Sequence, residues 1–289
     1  MIPRVRELIN LSDKLPIGEG VIASPGLDIH KYRFDYDLPI SYYSSFLAPV
    51  TKNLESKNDE KLIFNHQRKF DILMIGHQLD KVNYQIERIQ NEHYLEYQIL
   101  ILKPCLNQAQ NQMCDKYENA VSVPEIFNKT KYCLITSGLN GRFQSVFLAA
   151  ALGSGCVPII TSETALLPYS GKIDWTSVGV RLSGRFLEDS LVKTLNKITP
   201  EDLVRKREKC FYIYKRFFAS IDAVLEGTIQ LLADRIFPHK TAPYEYWNGP
   251  MGGVKSPMIL ESIAPDTGFT AVILAYERIE SLYRVIEGL

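Results

Sequence analysis

Several features that mark special classes of protein are missing from this sequence of 289 residues. Its 33 Lys and Arg residues balance 33 Asp and Glu residues, so no excess charge of one sign would draw the whole surface to nucleic acid. No apolar run approaches the ~20 residues that a transmembrane helix needs. The most apolar stretch, residues 147–160, is interrupted by two glycines and a proline. The first residues lack the apolar region of a secretory signal. These absences leave a globular chain.

Residues that bind metals or form disulfide scaffolds are also few. The five cysteines are too few for a scaffold, but Cys105 and Cys114 bracket a short polar loop that permits a disulfide. Two unpaired thiols are the alternative, and the sequence leaves both open. The five histidines show no metal-ligand spacing. Asp35 and Asp37 have the Asp-x-Asp form of a metal site, but we expect a structural role and no metal in this chain.

Two sequons for N-glycosylation begin at Asn10 and Asn128. An oligosaccharyltransferase could modify both asparagines if the chain were lumenal. Chance occurrence in a cytosolic protein is the alternative. Glycosylation is therefore an expectation that depends on the compartment.

The apolar pattern between residues 70 and 161 predicts an α/β fold. Short runs that are apolar on both faces alternate with helical segments. The predicted strands are near 70–75, 97–102, 132–136 and 156–161. Strands of this kind are typical of a parallel sheet that helices cover on both sides.

The rest of the chain predicts further helices and a boundary. Helical segments are expected at 186–197 and at roughly 200–236, the second beginning with Thr199 as its N-cap. Basic residues cluster on the second segment, and a solvated face is favoured over a polyanion site. Five prolines and four glycines in 238–268 predict an extended linker.

Four segments follow from these patterns. Residues 1–59 are expected to be a connecting segment, 60–237 an α/β lobe, and 238–268 the linker. Residues 269–289 read as one strand and one helix, which cannot bury a core alone. We therefore expect them to begin a second α/β domain whose remainder lies beyond this sequence.

A series of short motifs resembles the exostosin glycosyltransferase domain. The motifs are Phe34–Ile40, Tyr132–Ile135, Gly155–Ile160, Leu167–Tyr169 and Ile173–Trp175, in that order. The stretch Phe269–Ile286 resembles the first strand and helix of the second transferase domain that animal exostosins carry. The cysteine pair and the Leu167–Tyr169 motif resemble the exostosin-like members in particular.

The resemblance implies a two-lobed, GT-B-like first domain followed by a GT-A-like second domain. Residues 60–237 would form its Rossmann-like donor lobe, with a UDP-sugar at the carboxyl ends of the strands. The family implies heparan sulfate synthesis in the Golgi or endoplasmic reticulum lumen, membrane anchoring of the full-length protein, a heparan sulfate acceptor, and a homo- or heterodimer. A divalent metal such as manganese would belong to the second domain, not to this chain.

The sequence departs from the family where the donor charges are expected. The family's Ser-x-Arg-x-x-Glu motif aligns so that its Arg falls on Phe147 and its Glu on Ala150, and the acid before its Leu-Pro motif falls on Leu166. Gly138, Ser162 and Glu163 are the candidate donor-site groups that persist, and Arg142 is a candidate displaced cation. No catalytic residue is identified.

Two functional hypotheses result. The first is a glycosyltransferase polypeptide of heparan sulfate synthesis whose first-domain donor site is degenerate. The second is a noncatalytic lobe that orients another transferase domain, contacts a partner or holds the glycan. On either hypothesis, we expect this chain alone to be inactive.

Overall fold

The computed structural model describes residues 21–30, 32–34, 36–43, 68–75, 81–105, 113–115, 117, 119–136, 145–161 and 164–249. Its strands are β1 (Ala23–Ser24), β2 (Leu38–Pro39), β3 (Phe70–Ile75), β4 (Ile99–Pro104), β5 (Met113–Cys114), β6 (Ala120–Val121), β7 (Thr130–Ile135), β8 (Val157–Ile160) and β9 (Val180–Arg181). Its α-helices are α1 (Lys81–Glu92), α2 (Val123–Asn128), α3 (Ser145–Ser154), α4 (Trp175–Val178), α5 (Leu187–Leu195), α6 (Pro200–Phe217), α7 (Ile221–Ile236) and α8 (Tyr244–Asn248).

A seven-stranded sheet in the order β6-β5-β4-β3-β7-β8-β9 forms the centre of the lobe. β4, β3, β7, β8 and β9 are parallel to one another. β5 and β6 pair in an antiparallel manner at one edge of the sheet. Helices connect the parallel strands, as the alternation of apolar runs and helical segments predicts. The predicted α/β fold with a mostly parallel sheet is confirmed.

Both faces of the sheet are buried, in two separate apolar clusters. Leu73, Cys133 and Ile135 belong to the cluster on one face, together with residues of α3 and α6. Met74 and Leu134, which alternate with them along the strands, belong to the cluster on the other face with residues of α1 and α5. This double burial is why the strands are apolar throughout.

The long helix predicted at 200–236 is in fact two helices. The first begins as predicted, because the Thr199 hydroxyl accepts a hydrogen bond from the Asp202 backbone N–H at 3.1 Å. It ends at Phe217, and the Ser220 hydroxyl caps the next helix by accepting from the Ala223 N–H at 3.0 Å. The apolar residues keep the helical spacing across this break, so the sequence did not reveal Ser220 as a second N-cap.

Arg205 and Lys215 of α6 are exposed, as predicted, but other basic residues of this helix are not. Lys206 Nζ donates to the Thr176 and Gly179 carbonyls at 2.7 and 2.9 Å. Arg207 is fully buried. The Arg216 guanidinium lies 4.4 Å from the centre of the Tyr246 ring. These cations hold neighbouring elements together, which also argues against a polyanion site on this helix.

The first part of the predicted linker belongs to the lobe. Residues 238–240 form a short 3-10 helix, and α8 follows at Tyr244–Asn248. Trp247 is 1% exposed and stacks on Phe217, with ring centroids 5.1 Å apart. Proline and glycine content suggested an extended chain, but the buried aromatic residues fix residues 238–249 to the lobe. The predicted segments beyond 249 lie outside the described residues.

Part of the predicted connecting segment also packs against the lobe. β1 and β2 form a small parallel pair, and the Leu166 N–H donates to the Leu27 carbonyl at 2.8 Å. The Tyr169 N–H donates to the Pro39 carbonyl at 2.6 Å. The segment thus lies against the loop that follows β8. In the part of the chain described above, no helix is long and apolar enough to cross a membrane.

Candidate functional site

The carboxyl edge of the parallel strands is where α1, α3 and α5 begin, because each helix follows a strand of the sheet. In open α/β sheets, ligands bind in the crevice at this edge. Helix N-termini there present backbone N–H groups that suit an anion. The geometry of the fold therefore places the candidate site at the ends of β3, β7 and β8.

Two threonines lie side by side at this edge. Ile135 is opposite Ile160, and the Thr161 N–H donates to the Ile135 carbonyl at 3.1 Å, so Thr136 and Thr161 are neighbours. The Thr136 residue is 1% exposed, and its hydroxyl has no hydrogen-bond partner among the described residues. A buried hydroxyl without a partner is unfavourable unless something else satisfies it. Thr136 therefore offers a hydrogen bond at the candidate site, which the sequence had not indicated.

Gln85 fixes the rim of the site by joining α1 to the start of α5. Its amide nitrogen donates to the Gly184 carbonyl at 2.8 Å, and its amide oxygen accepts from the Glu188 N–H at 3.3 Å. Gly184 is held close to the end of β8, since a Cβ there would lie 3.1 Å from the Thr161 carbonyl oxygen. The start of α5 is thus positioned against β8.

The residues that align with the lost family charges are apolar and packed. Phe147 is half-buried against the apolar cluster that includes α3 and α6. Ala150 is 2% exposed within the same cluster. Leu166 is half-buried and held by its backbone bond to Leu27. The four persisting candidates, Gly138, Arg142, Ser162 and Glu163, lie outside the described residues, as does the sequon residue Asn10.

A buried guanidinium lies at the opposite edge of the sheet and serves the fold. Arg68, just before β3, donates to the Thr130 carbonyl at 2.7 Å and to the Ser154 carbonyl at 2.9 Å. Ser154 ends α3, so the cation interacts with the negative end of a helix. Burial and the nearby Arg207 lower the pKa of Arg68 to about 9, so it remains charged at neutral pH. It is not placed to bind a donor at the carboxyl edge.

Asp37 has a structural role, as expected. Its carboxylate accepts from the Arg33 side chain at 2.6 Å and from the Ile22 N–H at 3.1 Å. Burial acts to raise the pKa of Asp37, but the hydrogen bonds from Arg33 and Ile22 outweigh it and hold the pKa below its ordinary value. Asp35 lies outside the described residues. Over those described, no three His, Cys, Asp or Glu side chains are grouped as metal ligands.

Two disulfides are present, one predicted and one missed. Cys105 and Cys114 are joined, with 5.1 Å between their Cα atoms, which confirms the predicted pair. Cys133 and Cys156 form a second bond between β7 and the start of β8, with Cα atoms 5.7 Å apart. The signal for this pair was present, because both cysteines belong to predicted neighbouring strands. Cys210 is fully buried, and burial raises its pKa to about 12, which excludes it as a nucleophile at neutral pH.

Comparison with known proteins identifies relatives over nearly the whole chain. Human exostosin-2 is 28% identical over 99% of this chain and 39% of its own length. Human exostosin-like 1 is 31% identical over 45% of this chain and 19% of its own length. Zebrafish (Danio rerio) exostosin-1a is 23% identical over 82% of this chain and 33% of its own length. This chain thus spans well under half of each relative.

Among solved structures, a glycosyltransferase from Rickettsia africae ESF-5 is 12% identical, covers 82% of this chain and 53% of its own, and has a TM-score of 0.33. The family model of the exostosin GT47 domain matches residues 12–198, which is most of the chain. The chain therefore belongs to the exostosin GT47 family of glycosyltransferases.

Proposed function

We propose that this chain acts in heparan sulfate or related glycosaminoglycan synthesis from UDP-sugars, as a glycosyltransferase polypeptide with a degenerate first-domain donor site. The apolar character of α3 carries the proposal, because the family's Arg and Glu align with Phe147 and Ala150. Phe147 packs against an apolar cluster and Ala150 is buried in it. Neither side chain offers a charge to a diphosphate or a hydrogen bond to a sugar.

The energetic consequence of the two replacements is large. A departing UDP carries negative charge that a cation or a helix N-terminus must stabilise. Each charge-assisted hydrogen bond contributes about 1.5–3 kcal/mol. The loss of two such contacts weakens donor affinity by roughly two to four powers of ten. The hydroxyl of Thr136 and the N-terminus of α3 remain as neutral groups, and they replace only part of this interaction.

The proposed surroundings follow from the family and from the cysteines. Two disulfides suit the lumen of the Golgi or endoplasmic reticulum, where thiols are oxidised. The proposed partners are a UDP-sugar, a heparan sulfate acceptor and a second transferase chain in a homo- or heterodimer. Membrane anchoring and manganese binding would belong to other parts of a longer protein, and no nucleic acid is involved.

A noncatalytic role for residues 1–240 is the second candidate, and the same apolar α3 favours it. On that view the lobe positions another transferase domain or the glycan. Transfer assays test the role in glycan synthesis that the two candidates share. The purified chain is incubated with UDP-glucuronic acid, UDP-N-acetylglucosamine and a heparan sulfate oligosaccharide, alone and in the complex captured after lumenal expression.

Both candidates predict no transfer by the chain alone and sugar addition by the captured complex. A matched complex captured on an unrelated lumenal protein gives the background. No transfer above this background would contradict a role in glycan synthesis, and transfer by the chain alone would contradict the degenerate donor site.

A further inference from the structure

The loop that leaves β8 begins at the candidate site. Thr161 directly follows β8, and its N–H donates to the Ile135 carbonyl at 3.1 Å. Residues 164–171 come next in the described chain, and we call them the β8 loop. A loop at the carboxyl edge of a parallel sheet borders the crevice in which ligands bind. The position of the β8 loop therefore shapes one side of the candidate site.

The β8 loop is bonded to a segment from far earlier in the sequence. This segment consists of the described residues 21–30, 32–34 and 36–43, and we call it the strap. The Ile29 N–H donates to the Thr164 carbonyl at 2.8 Å, and the Leu166 N–H donates to the Leu27 carbonyl at 2.8 Å. The two chains are antiparallel at this point. The strap thus fixes the first residues of the β8 loop.

Tyr169 fixes the other end of the β8 loop to the strap. Its N–H donates to the Pro39 carbonyl at 2.6 Å, and its hydroxyl lies 2.9 Å from the Ser41 hydroxyl. The Ser41 hydroxyl donates to the Phe217 carbonyl at 2.5 Å, so it accepts the hydrogen of the Tyr169 hydroxyl. The strap, the β8 loop and α6 therefore meet at the side chain of Tyr169.

The backbone of Tyr169 is held in an unfavourable conformation. Its φ is 52°, and no other residue except glycine has a positive φ in the part of the chain that the structure describes. This left-handed region is uncommon for a bulky residue. Tyr169 is fully buried, with its ring centroid 5.1 Å from that of Phe217 and 5.6 Å from that of Trp247. Such a conformation persists only where the surroundings enforce it, and it is frequent at functional sites.

We propose that Tyr169 is a positioning residue that couples the strap to the candidate site. The strap sets the conformation of the β8 loop through the Ser41 hydroxyl and the paired backbones. A displacement of the strap then lets Tyr169 leave its strained conformation, and the β8 loop moves at the carboxyl edge. That this movement acts on a sugar donor rests on the proposed function, whereas the coupling rests on these contacts alone.

Amide hydrogen exchange of the full chain, resolved to single residues, tests the coupling without any donor. Tyr169→Phe removes the hydrogen bond to Ser41 and keeps the ring. Since a hydrogen bond changes an equilibrium by about two- to tenfold, we expect the Ile29 and Leu166 amides to exchange about fivefold faster relative to the Leu134 amide. Leu134 lies in β7 and pairs with both neighbouring strands, so it reports on the sheet.

Tyr212→Phe is the matched control, because it makes the same chemical change elsewhere in the lobe. Tyr212 is also buried, and its hydroxyl donates to the Tyr246 carbonyl at 2.7 Å. Both variants should lower the urea midpoint of unfolding to a similar extent. Only Tyr169→Phe should change the relative exchange of the β8 loop. An equal change in both variants, or none in Tyr169→Phe, would overturn the proposal.

A substitution confined to the strap tests whether a change there reaches the β8 loop. The Asp37 carboxylate accepts from the Ile22 N–H at 3.1 Å and from the Arg33 side chain at 2.6 Å, and all three residues belong to the strap. Asp37→Asn weakens these bonds, so the Leu166 amide should exchange faster by a larger factor than the Leu134 amide. A Leu166 rate that is unchanged, or that rises only as much as the Leu134 rate, would contradict the coupling.

Discussion

The disulfide between Cys133 and Cys156 joins β7 to the residue that directly precedes the neighbouring parallel strand β8. Cys133 lies opposite Pro158 in the strand register, so the bond runs diagonally between β7 and the residue before β8. Thr136 and Thr161 directly follow these two strands. The disulfide therefore fixes the relative position of the strands that carry these threonines to the candidate site.

Removal of this disulfide should destabilise the lobe. Cys133→Ala with Cys156→Ala opens a loop of sequence separation 23. The loss should be about 3 kcal/mol in the free energy of unfolding, mainly from the greater freedom of the unfolded chain. Urea denaturation of the purified protein measures it.

The matched control is Cys105→Ala with Cys114→Ala, which opens a shorter loop of separation 9 at the sheet edge. Its effect should be smaller, since loop entropy grows with loop length. Equal stability of the wild-type protein and the Cys133→Ala, Cys156→Ala variant would contradict the predicted contribution.

Asp37 should contribute stability that depends on pH. Asp37→Asn removes charge-assisted hydrogen bonds with Arg33, and we expect a loss of about 1.5–3 kcal/mol near pH 7. Because the folded-state pKa lies below the ordinary value of 3.8, the contribution is present above that value and disappears as the pH falls through the folded pKa. Urea denaturation at pH 7 and pH 2.5 measures the difference.

Glu125→Gln is the control for this pH dependence, since it removes an exposed ion pair with Lys129. Its effect should stay within about 0.5 kcal/mol at either pH. A difference between Asp37→Asn and wild type that persists undiminished at pH 2.5 would count against the role of the Asp37 carboxylate.

The packing of residues 238–249 predicts a large effect at Trp247. Its ring contacts Phe217 and its indole N–H donates to the buried Asp234 carboxylate at 3.2 Å. Trp247→Ala should lower stability by about 3–5 kcal/mol. Tyr244→Ala is the control, because Tyr244 lies on the same helix but is 59% exposed. It should change the stability much less. Equal melting temperatures of the two variants would contradict the packing.

Lumenal expression predicts a glycan at Asn128. This residue ends α2 and is half-buried, and the Thr130 hydroxyl of its sequon donates to the Ile126 carbonyl at 2.8 Å. Because the folded lobe already uses that hydroxyl, modification should occur before folding. We expect a glycan on Asn128, and on Asn10 if it is accessible, after expression behind an added signal. Mass spectrometry with and without glycosidase measures it, and an unmodified Asn128 would contradict the proposed compartment.

The sequence predicted the strands of the sheet better than it predicted the end of the lobe. Short runs that are apolar on both faces, such as Phe70–Ile75, are typical of buried parallel strands, so these strands were identified. The end of the lobe was placed too early, because prolines and glycines in 238–268 outweighed two buried aromatic residues, Tyr246 and Trp247. Local composition does not reveal which aromatic residues find a partner far away in sequence.

The candidate site was less predictable than the fold. Phe147 and Ala150 were located by resemblance, and the structure places both in an apolar cluster. The Thr136 hydroxyl lies beside Thr161 only because β7 and β8 are neighbours in the folded sheet. The Gln85 side chain likewise bonds Gly184, which is 99 residues away in the sequence. Lys206 and Arg207 of α6 were assigned to solvent for the same reason, since a cation that binds carbonyls or is buried looks like a surface residue in sequence.

Calorimetric titration of the purified chain with UDP-glucuronic acid and UDP-N-acetylglucosamine tests the degenerate donor site most directly. Loss of two charged contacts predicts dissociation constants of about 0.1 mM or weaker for both donors. Phe147→Arg, at a half-buried position, should strengthen binding, whereas Phe147→Leu is the neutral control. A low micromolar dissociation constant for either donor with the unmodified chain would contradict the account.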